Sequence, residues 1–278
     1  MARTKSDKYP LLNNKEWLYQ KYIVEGLSTL QIVSLVGAKT PNSVRQALIR
    51  NEIPVRNIRE GLTHNRESDG FIINKSVLEG CLLGDAGLQC WNKHSNISAP
   101  YFYKTNKYLD HIKYVGNFIF NKPFKIHNEI NKINDHSLIY FNIRSYSYDI
   151  LIDYYKNWYP ESNGFKKIIP NNINIDEIVL LHWFLDDGCA HLRNRKDYLS
   201  HYKPAERQIL IFFCSESFIK EDQDWICDRF NDKYDLGMKT YKYEHGTGWR
   251  IKVPQSKADL FYEIIGPPPV ESLAYKWK

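Results

Sequence analysis

The chain of 278 residues lacks any run of about 18 consecutive apolar residues, the length that a membrane-spanning helix requires. Its first residues are polar and contain no apolar core of the kind found in a secretory signal peptide. We therefore expect an intracellular protein that does not cross a membrane. The sequence does not distinguish a bacterial or phage cytoplasm from an organelle matrix.

Cysteine is sparse and follows no pattern. The five cysteines are odd in number and include no C-x-x-C pair. This spacing argues against a structural zinc site and against a disulfide framework. We expect the cysteines to serve as packing residues or surface thiols.

A uniform excess of positive charge is also missing. The net charge of +6 is concentrated in residues 1–60, which hold 10 Lys and Arg against 5 Asp and Glu. The other 218 residues hold 28 basic and 27 acidic side chains. A polyanionic partner must therefore be bound by locally sorted charges over most of the chain.

The basic N-terminal segment has a helical pattern. Apolar residues recur at helical spacing over 13–56, Gly37 suits a turn, and Pro41 after Thr40 suits the start of another helix. This order is typical of a helix-turn-helix, and a three-helix bundle with a solvated basic face is the alternative. We predict a DNA-binding domain over 1–58 and a linker over 59–72. Its predicted DNA contacts are Arg45, Gln46, Arg50 and Arg56.

Two similar apolar segments each end on an acid beside a small residue. Residues 78–86 read Leu-Glu-Gly-Cys-Leu-Leu-Gly-Asp-Ala, and residues 180–188 read Leu-Leu-His-Trp-Phe-Leu-Asp-Asp-Gly. Their last acids, Asp85 and Asp187, lie 102 residues apart, which is about the length of a small domain. The chain therefore has the pattern of an internal duplication with one carboxylate in each half.

Each half continues in the same order. We predict halves over 73–170 and 171–278, with helices near 106–120, 146–158, 216–232 and 256–265, and with strands of period two between them. This grouping favours an α+β fold. The polar strand faces are predicted to contact DNA, or else to be merely solvated. These residues are Gln89, Trp91, Lys93, Tyr140, Asn142, Arg144, His191, Arg193, Arg195, Arg250 and Lys252.

The two motif helices are expected to pack asymmetrically. Gly80 and Gly84 share one helix face and allow a close backbone approach, whereas His182 and Asp186 occupy the equivalent positions in the second motif. We expect Asp186 to lie in the seam between the helices and to be hydrogen-bonded rather than catalytic.

The paired acids suit a metal-dependent reaction. Two carboxylates and phosphate oxygens are suitable ligands for Mg²⁺, and such a site supports attack of water on a phosphodiester. A lysine closes each half, at Lys167 and at Lys276. Each could polarise the attacking water or stabilise the leaving oxygen, and a phosphate contact is the alternative role.

These motifs resemble those of the LAGLIDADG homing endonucleases. Residues 78–86 and 180–188 match the nine-residue signature, and the segments Lys167–Pro170 and Ser272–Lys276 match the ends of the two halves. The resemblance covers roughly 72–278. Ala86 and His182 depart from glycines that are usual at their positions.

The resemblance implies a single-chain monomer of two pseudo-symmetric αββαββα halves that form a saddle over a long double-stranded DNA target. It implies catalytic roles for Asp85, Asp187, Lys167 and Lys276, with two or more Mg²⁺ ions at the acids. It also implies cutting of both strands across the minor groove, short 3′ overhangs, and a gene within an intron or intein.

Two other functions are compatible with the same sequence. One is an intron RNA-splicing maturase on this fold, which would bind RNA without needing the acids. The other is a catalytically inert DNA-binding regulator in which the N-terminal domain dominates.

Overall fold

The computed structural model describes residues 9–56, 72–90, 100–121, 124, 126–133, 136–193, 208–244, 246 and 248–277. The chain divides into two compact units, with the boundary in the main chain at residues 71 and 72. Among the described residues, no helix is long and apolar enough to cross a membrane.

The N-terminal unit is helical. It contains α1 (Lys15–Tyr19), a π-helical turn (Gln20–Val24), α2 (Thr29–Val36) and α3 (Pro41–Arg50). Ser28 and Gln31 form a reciprocal capping box at the start of α2, and Gly37 ends that helix with a φ of 66°. The predicted small helical region therefore precedes the rest of the fold. The predicted linker, apart from Ile72, lies outside the described residues.

The second unit repeats one order of elements twice. The first half contains α4 (Lys75–Leu83), β1 (Gly87–Gln89), β2 (Tyr101–Asn106), α5 (Leu109–Ile119), β3 (Ile126–Ile133), β4 (His136–Arg144) and α6 (Ile150–Trp158). The second half contains α7 (Glu177–Asp187), β5 (Gly188–Arg193), β6 (Gln208–Phe213), α8 (Lys220–Tyr234), β7 (Lys239–Lys242), β8 (Trp249–Val253) and α9 (Ala258–Ile265). Both halves are αββαββα, which confirms the predicted α+β class.

Each half has one antiparallel sheet of four strands. The orders are β1-β2-β4-β3 and β5-β6-β8-β7, so the two sheets have the same topology. One face of each sheet is apolar, because alternate residues such as Phe102, Ile143, Ile211 and Ile251 are fully buried. The opposite face of each sheet carries the polar side chains of the same strands.

Reciprocal hydrogen bonds join the two halves. In one, Ser272 of the second half donates from N and Oγ to Asp110 at the start of α5, over 3.1 and 2.6 Å. In the other, Ile169 N donates to Asp222 Oδ2 at the start of α8 over 3.1 Å. The segment that closes each half is therefore held by an acid of the other half.

Candidate active site

The two signature helices, α4 and α7, pack at very short range. A Cβ atom added to Gly80 would lie 2.6 Å from His182 Cβ, and one added to Gly84 would lie 2.3 Å from Asp186 Cβ. Only glycine permits these approaches. The close approach that the glycine spacing predicted is thus present, and the bulky partners belong to α7.

The helix pair brings the two motif acids together. Asp187 is the last residue of α7, and Asp85 follows the end of α4. Burial raises the pKa of Asp187 well above its usual range, and the negative charges of Asp85 and Asp186 raise it further. Asp85 is exposed at the surface, but partial burial of its carboxyl group still raises its pKa, and Asp186 contributes to that shift.

A lysine lies at the end of each signature helix. Lys167 Nζ donates to the carbonyl oxygens of Gly84 and Ala86, at 2.9 and 3.0 Å, on either side of Asp85. Burial lowers the pKa of Lys167 to about 8, against the attraction of Asp187, Asp186 and Asp85.

The second lysine repeats this arrangement. Lys276 Nζ donates to the carbonyl oxygens of Phe184, Leu185 and Asp186, at 3.0, 2.8 and 3.1 Å. Burial lowers the pKa of Lys276 as well, while the neighbouring acids oppose the shift. At a helix C-terminus, a lysine can donate hydrogen bonds to the free carbonyl oxygens, and its charge interacts favourably with the negative end of the helix dipole.

A buried ion pair, which was not predicted, lies next to the motif acids. Lys104 of β2 binds both carboxylate oxygens of Asp186, with 2.5 Å from Nζ to Oδ2, and neither side chain is exposed. Burial alone would lower the pKa of Lys104, but the attraction of Asp186 outweighs it and the pKa is raised. Asp186 thus lies in the seam and is hydrogen-bonded, as expected.

The spacing of residues in β2 indicates a buried position for Lys104. Lys104 lies two residues from Phe102, which is fully buried, so both point to the apolar face of the sheet. A lysine on such a face requires an acidic partner within the fold. Asp186, which the sequence places at the helix seam, is the acid that can serve as this partner.

Several residues that are predicted to contact DNA lie on the polar face of the first sheet. The register pairs Gln89 with Tyr101 and Arg144 with Tyr103, which places these residues on the face away from the core. Tyr140 is half-buried and Arg144 is exposed on this face. Arg144 Nη2 lies 3.7 Å from Glu129, so the charge of Arg144 is partly balanced there.

Asn142 requires a correction. The residue is only 3% exposed, and its amide nitrogen donates to Glu129 Oε1 over 2.9 Å. Asn142 was predicted to contact DNA, but its donor is satisfied within the sheet. Trp91 and Lys93, predicted for the same surface, lie outside the described residues.

The second sheet carries a mixed aromatic and basic face. Lys252 pairs with Phe212 across the strands, and its ammonium lies 5.6 Å from the ring centroid of Tyr241. His191 is exposed on β5 and its ring lies 6.1 Å from Phe212. Arg193 ends β5, but its side chain is not among the described groups, and Arg195 lies outside the described residues. The polar face of the second sheet therefore presents basic side chains and aromatic rings.

Arg250 is only partly available on that face. Its guanidinium forms an ion pair with Glu216 and stacks 3.5 Å from the ring centroid of Tyr243. The residue is half-buried. A partner that uses Arg250 must therefore share or displace Glu216.

In the N-terminal unit, the predicted contacts divide into two groups. Arg45, Gln46 and Arg50 are exposed on α3. Arg56 points inward: its guanidinium donates to the carbonyl oxygens of Tyr22, Gly26 and Leu27 and stacks on the Tyr22 ring. The prediction that Arg56 contacts DNA is therefore withdrawn, because its donors hold the helical unit together.

Known proteins share both the sequence pattern and the fold. The model of the LAGLIDADG DNA endonuclease family matches residues 75–261. An uncharacterized protein of Methanocaldococcus jannaschii is 27% identical over 179 residues, covering 62% of this chain and 64% of that protein. A probable intron-encoded endonuclease of Wickerhamomyces canadensis is 22% identical over 207 residues, covering 73% and 83%. The homing endonuclease I-WcaI, solved bound to its DNA recognition sequence, aligns with a TM-score of 0.57 and 20% identity over 82% of this chain and 96% of that one.

Proposed function

The chain belongs to the LAGLIDADG DNA endonuclease family, and we propose that it is a site-specific, divalent-metal-dependent endonuclease that cuts both strands of a long double-stranded DNA target. One observation carries the proposal. The helix pair brings Asp85 and Asp187 together, and a lysine holds the end of each helix, half-buried at Lys167 and buried at Lys276. Each half thereby supplies one acid and one lysine for one DNA strand.

The acids fit a divalent cation. Both have raised pKa values, and the charge of Asp85 contributes to the shift of Asp187, so a cation between them would offset their repulsion. Carboxylate oxygens are the ligands that Mg²⁺ prefers, and the ion would supply charge stabilisation and an activated water. Among the described residues no group of three or more His, Cys, Asp or Glu could hold a metal alone. DNA phosphate oxygens would complete such a site.

The two lysines are proposed to act on the attacking water and on the charge of the leaving oxygen. With a pKa of about 8, Lys167 exchanges its proton near neutral pH, which suits a group that orients or deprotonates the attacking water. A protonated Lys276 would stabilise negative charge on the leaving oxygen. Both lysines are held by carbonyl oxygens next to the acids, so little reorganisation is needed.

The polar sheet faces are proposed to bind the DNA. Gln89, Tyr140, Arg144, His191, Arg250 and Lys252 provide donors for phosphates and base edges, and α3 adds Arg45, Gln46 and Arg50. Trp91, Lys93, Arg193 and Arg195 remain predicted contacts. We propose cleavage across the minor groove with short 3′ overhangs, by an intracellular monomer encoded within an intron or intein. Affinity should fall steeply with salt.

Cleavage of a plasmid tests this proposal. The substrate carries the uninterrupted allele of the gene that would host this coding sequence, with Mg²⁺ or with EDTA. We expect one Mg²⁺-dependent double-strand break, abolished by Asp85→Asn with Asp187→Asn. If the double variant cuts as well as the wild type, the proposal is wrong. Binding without cutting would favour the maturase or the regulator, and intron RNA would then be the ligand to test.

A further inference from the structure

The two halves differ at a buried position in the second strand of each sheet. The register pairs Gly87 with Tyr103 in the first half and Cys189 with Phe212 in the second. Aligned on Asp85 and Asp187, these pairs are equivalent, so Phe213 is the counterpart of Lys104. Phe213 is fully buried and packs against Trp183 with ring centroids 4.3 Å apart. The position that Lys104 occupies in the first half is thus taken by an aromatic ring in the second half.

Asp186, the acid that pairs with Lys104, also has no equivalent in the other half. Asp186 corresponds to Gly84, the residue before Asp85 in the first motif. The seam therefore holds one ion pair, Lys104 with Asp186, and its symmetry-related positions hold Phe213 and Gly84. His111 also faces Asp186, with 3.7 Å from Nε2 to Oδ1, and burial lowers its pKa to about 2. His111 is consequently neutral and leaves Lys104 as the cation.

The ion pair is connected directly to the catalytic groups of the second half. Asp186 precedes Asp187, and its carbonyl oxygen accepts from Lys276 Nζ over 3.1 Å. Its carboxylate is held by Lys104, and its Cβ lies against the backbone at Gly84. On the other side, Lys167 donates only to the carbonyls of Gly84 and Ala86 among the described hydrogen bonds.

We propose that Lys104 is a positioning residue that acts through Asp186 on Asp187 and Lys276, so that the two halves of the active site depend on it unequally. The inference rests on the proposed endonuclease function. Charge-assisted hydrogen bonds fix a carboxylate in both distance and direction, which an apolar contact does not. A displacement of about 1 Å at a reacting group can slow a reaction on the order of 10²-fold.

Strand-resolved cleavage tests this inference. The substrate is the target duplex from the plasmid experiment, with a different label on each strand, and cleavage is followed on denaturing gels. Lys276→Met and Lys167→Met first identify the strand that each half serves. We expect Lys104→Met to slow the Lys276-dependent strand by about 10- to 100-fold more than the other strand, so that nicked DNA accumulates.

A second variant separates positioning from folding. Lys104→Met with Asp186→Asn replaces the ion pair by neutral groups, and we expect its Tm to recover while the bias between strands remains. Phe230→Leu, a core truncation in α8, is the control for general destabilisation and should slow both strands equally. Equal slowing of both strands by Lys104→Met, or recovery of both rates in the double variant, would overturn the inference. A wild type that does not cut would refute the proposed function and this inference with it.

Discussion

Gly84 and Asp186 face each other at a distance that only glycine allows: a Cβ on Gly84 would lie 2.3 Å from Asp186 Cβ. The contact joins the two signature helices one residue before each motif acid. The spacing of the helices, and with it the separation of Asp85 and Asp187, therefore depends on a missing side chain.

Gly84→Ala should consequently weaken the fold and the site together. Either the added methyl group must separate the helices, or the Asp186 side chain must leave Lys104. We expect a loss of about 1–3 kcal/mol in the free energy of unfolding and a larger loss of cleavage. Chemical denaturation and plasmid cleavage measure these effects. Asn157→Ala, at an exposed position of α6, is the control and should leave both nearly unchanged.

Asp187→Asn is expected to stabilise the protein while abolishing cleavage. A raised folded pKa means that Asp187 favours folding below the unfolded value of 3.8, and that this contribution is lost as the pH rises through the folded pKa. Burial of this acid therefore opposes folding at pH 7.5, and the uncharged amide should raise stability by roughly 1 kcal/mol without metal, or Tm by about 2–4 °C. Thermal unfolding in EDTA tests this. A lower Tm for Asp187→Asn would contradict the explanation.

The lowered pKa of Lys167 should make the stability of the protein depend on pH in a specific way. Its folded pKa of about 8 lies below the unfolded value of 10.5, so between these values the unfolded chain binds more protons. The contribution of Lys167 to the free energy of unfolding should therefore rise with pH across this window, by at most about 3 kcal/mol. Denaturation at pH 7.5 and 9.5 should show this rise for the wild type and for the exposed control Lys166→Met, but not for Lys167→Met.

Asp110→Ala should weaken the contact between the halves. Burial opposes ionisation of Asp110, but hydrogen bonds from Ser272 and from the backbone of His111 lower its pKa. The resulting stabilisation is present above 3.8 and is lost as the pH falls through the folded pKa. We expect a deficit of about 1–2 kcal/mol at pH 7, as for loss of a helix cap, and a smaller deficit in acid. Glu263→Ala, an exposed acid of α9, should show no such pattern.

The arginines of the N-terminal unit should separate into binding and structural classes. Arg45→Ala with Arg50→Ala should weaken DNA affinity and reduce the salt slope by about 1 for each of these arginines that binds a phosphate. Arg56→Ala should instead lower the stability of the unit by about 1–3 kcal/mol, because three carbonyl oxygens lose their donor. Binding measured across a salt series, with unfolding followed in parallel, distinguishes these outcomes. A changed salt slope for Arg56→Ala in a stable protein would restore it as a DNA contact.

Local pattern was sufficient to predict the helices and strands and to name the acids of the candidate site. The two signature segments, their acids and the period of each strand depend on residues within one or two turns of each other. The predicted helix near 106–120 was observed as Leu109–Ile119, and that near 256–265 as Ala258–Ile265. The glycines at 80 and 84 predicted a close helix pair because a missing side chain can be read directly from the sequence.

The chain by itself therefore determined the duplicated αββαββα order, the position of one acid in each half and the α+β class. Tertiary structure alone decided which polar groups meet. Lys104 and Asp186 lie 82 residues apart, Arg56 donates to carbonyls about 30 residues away, and the amide nitrogen of Asn142 donates to Glu129 across the sheet. The physical reason is that periodicity reports which face a residue occupies, whereas burial, charge pairing and pKa depend on the element packed against that face.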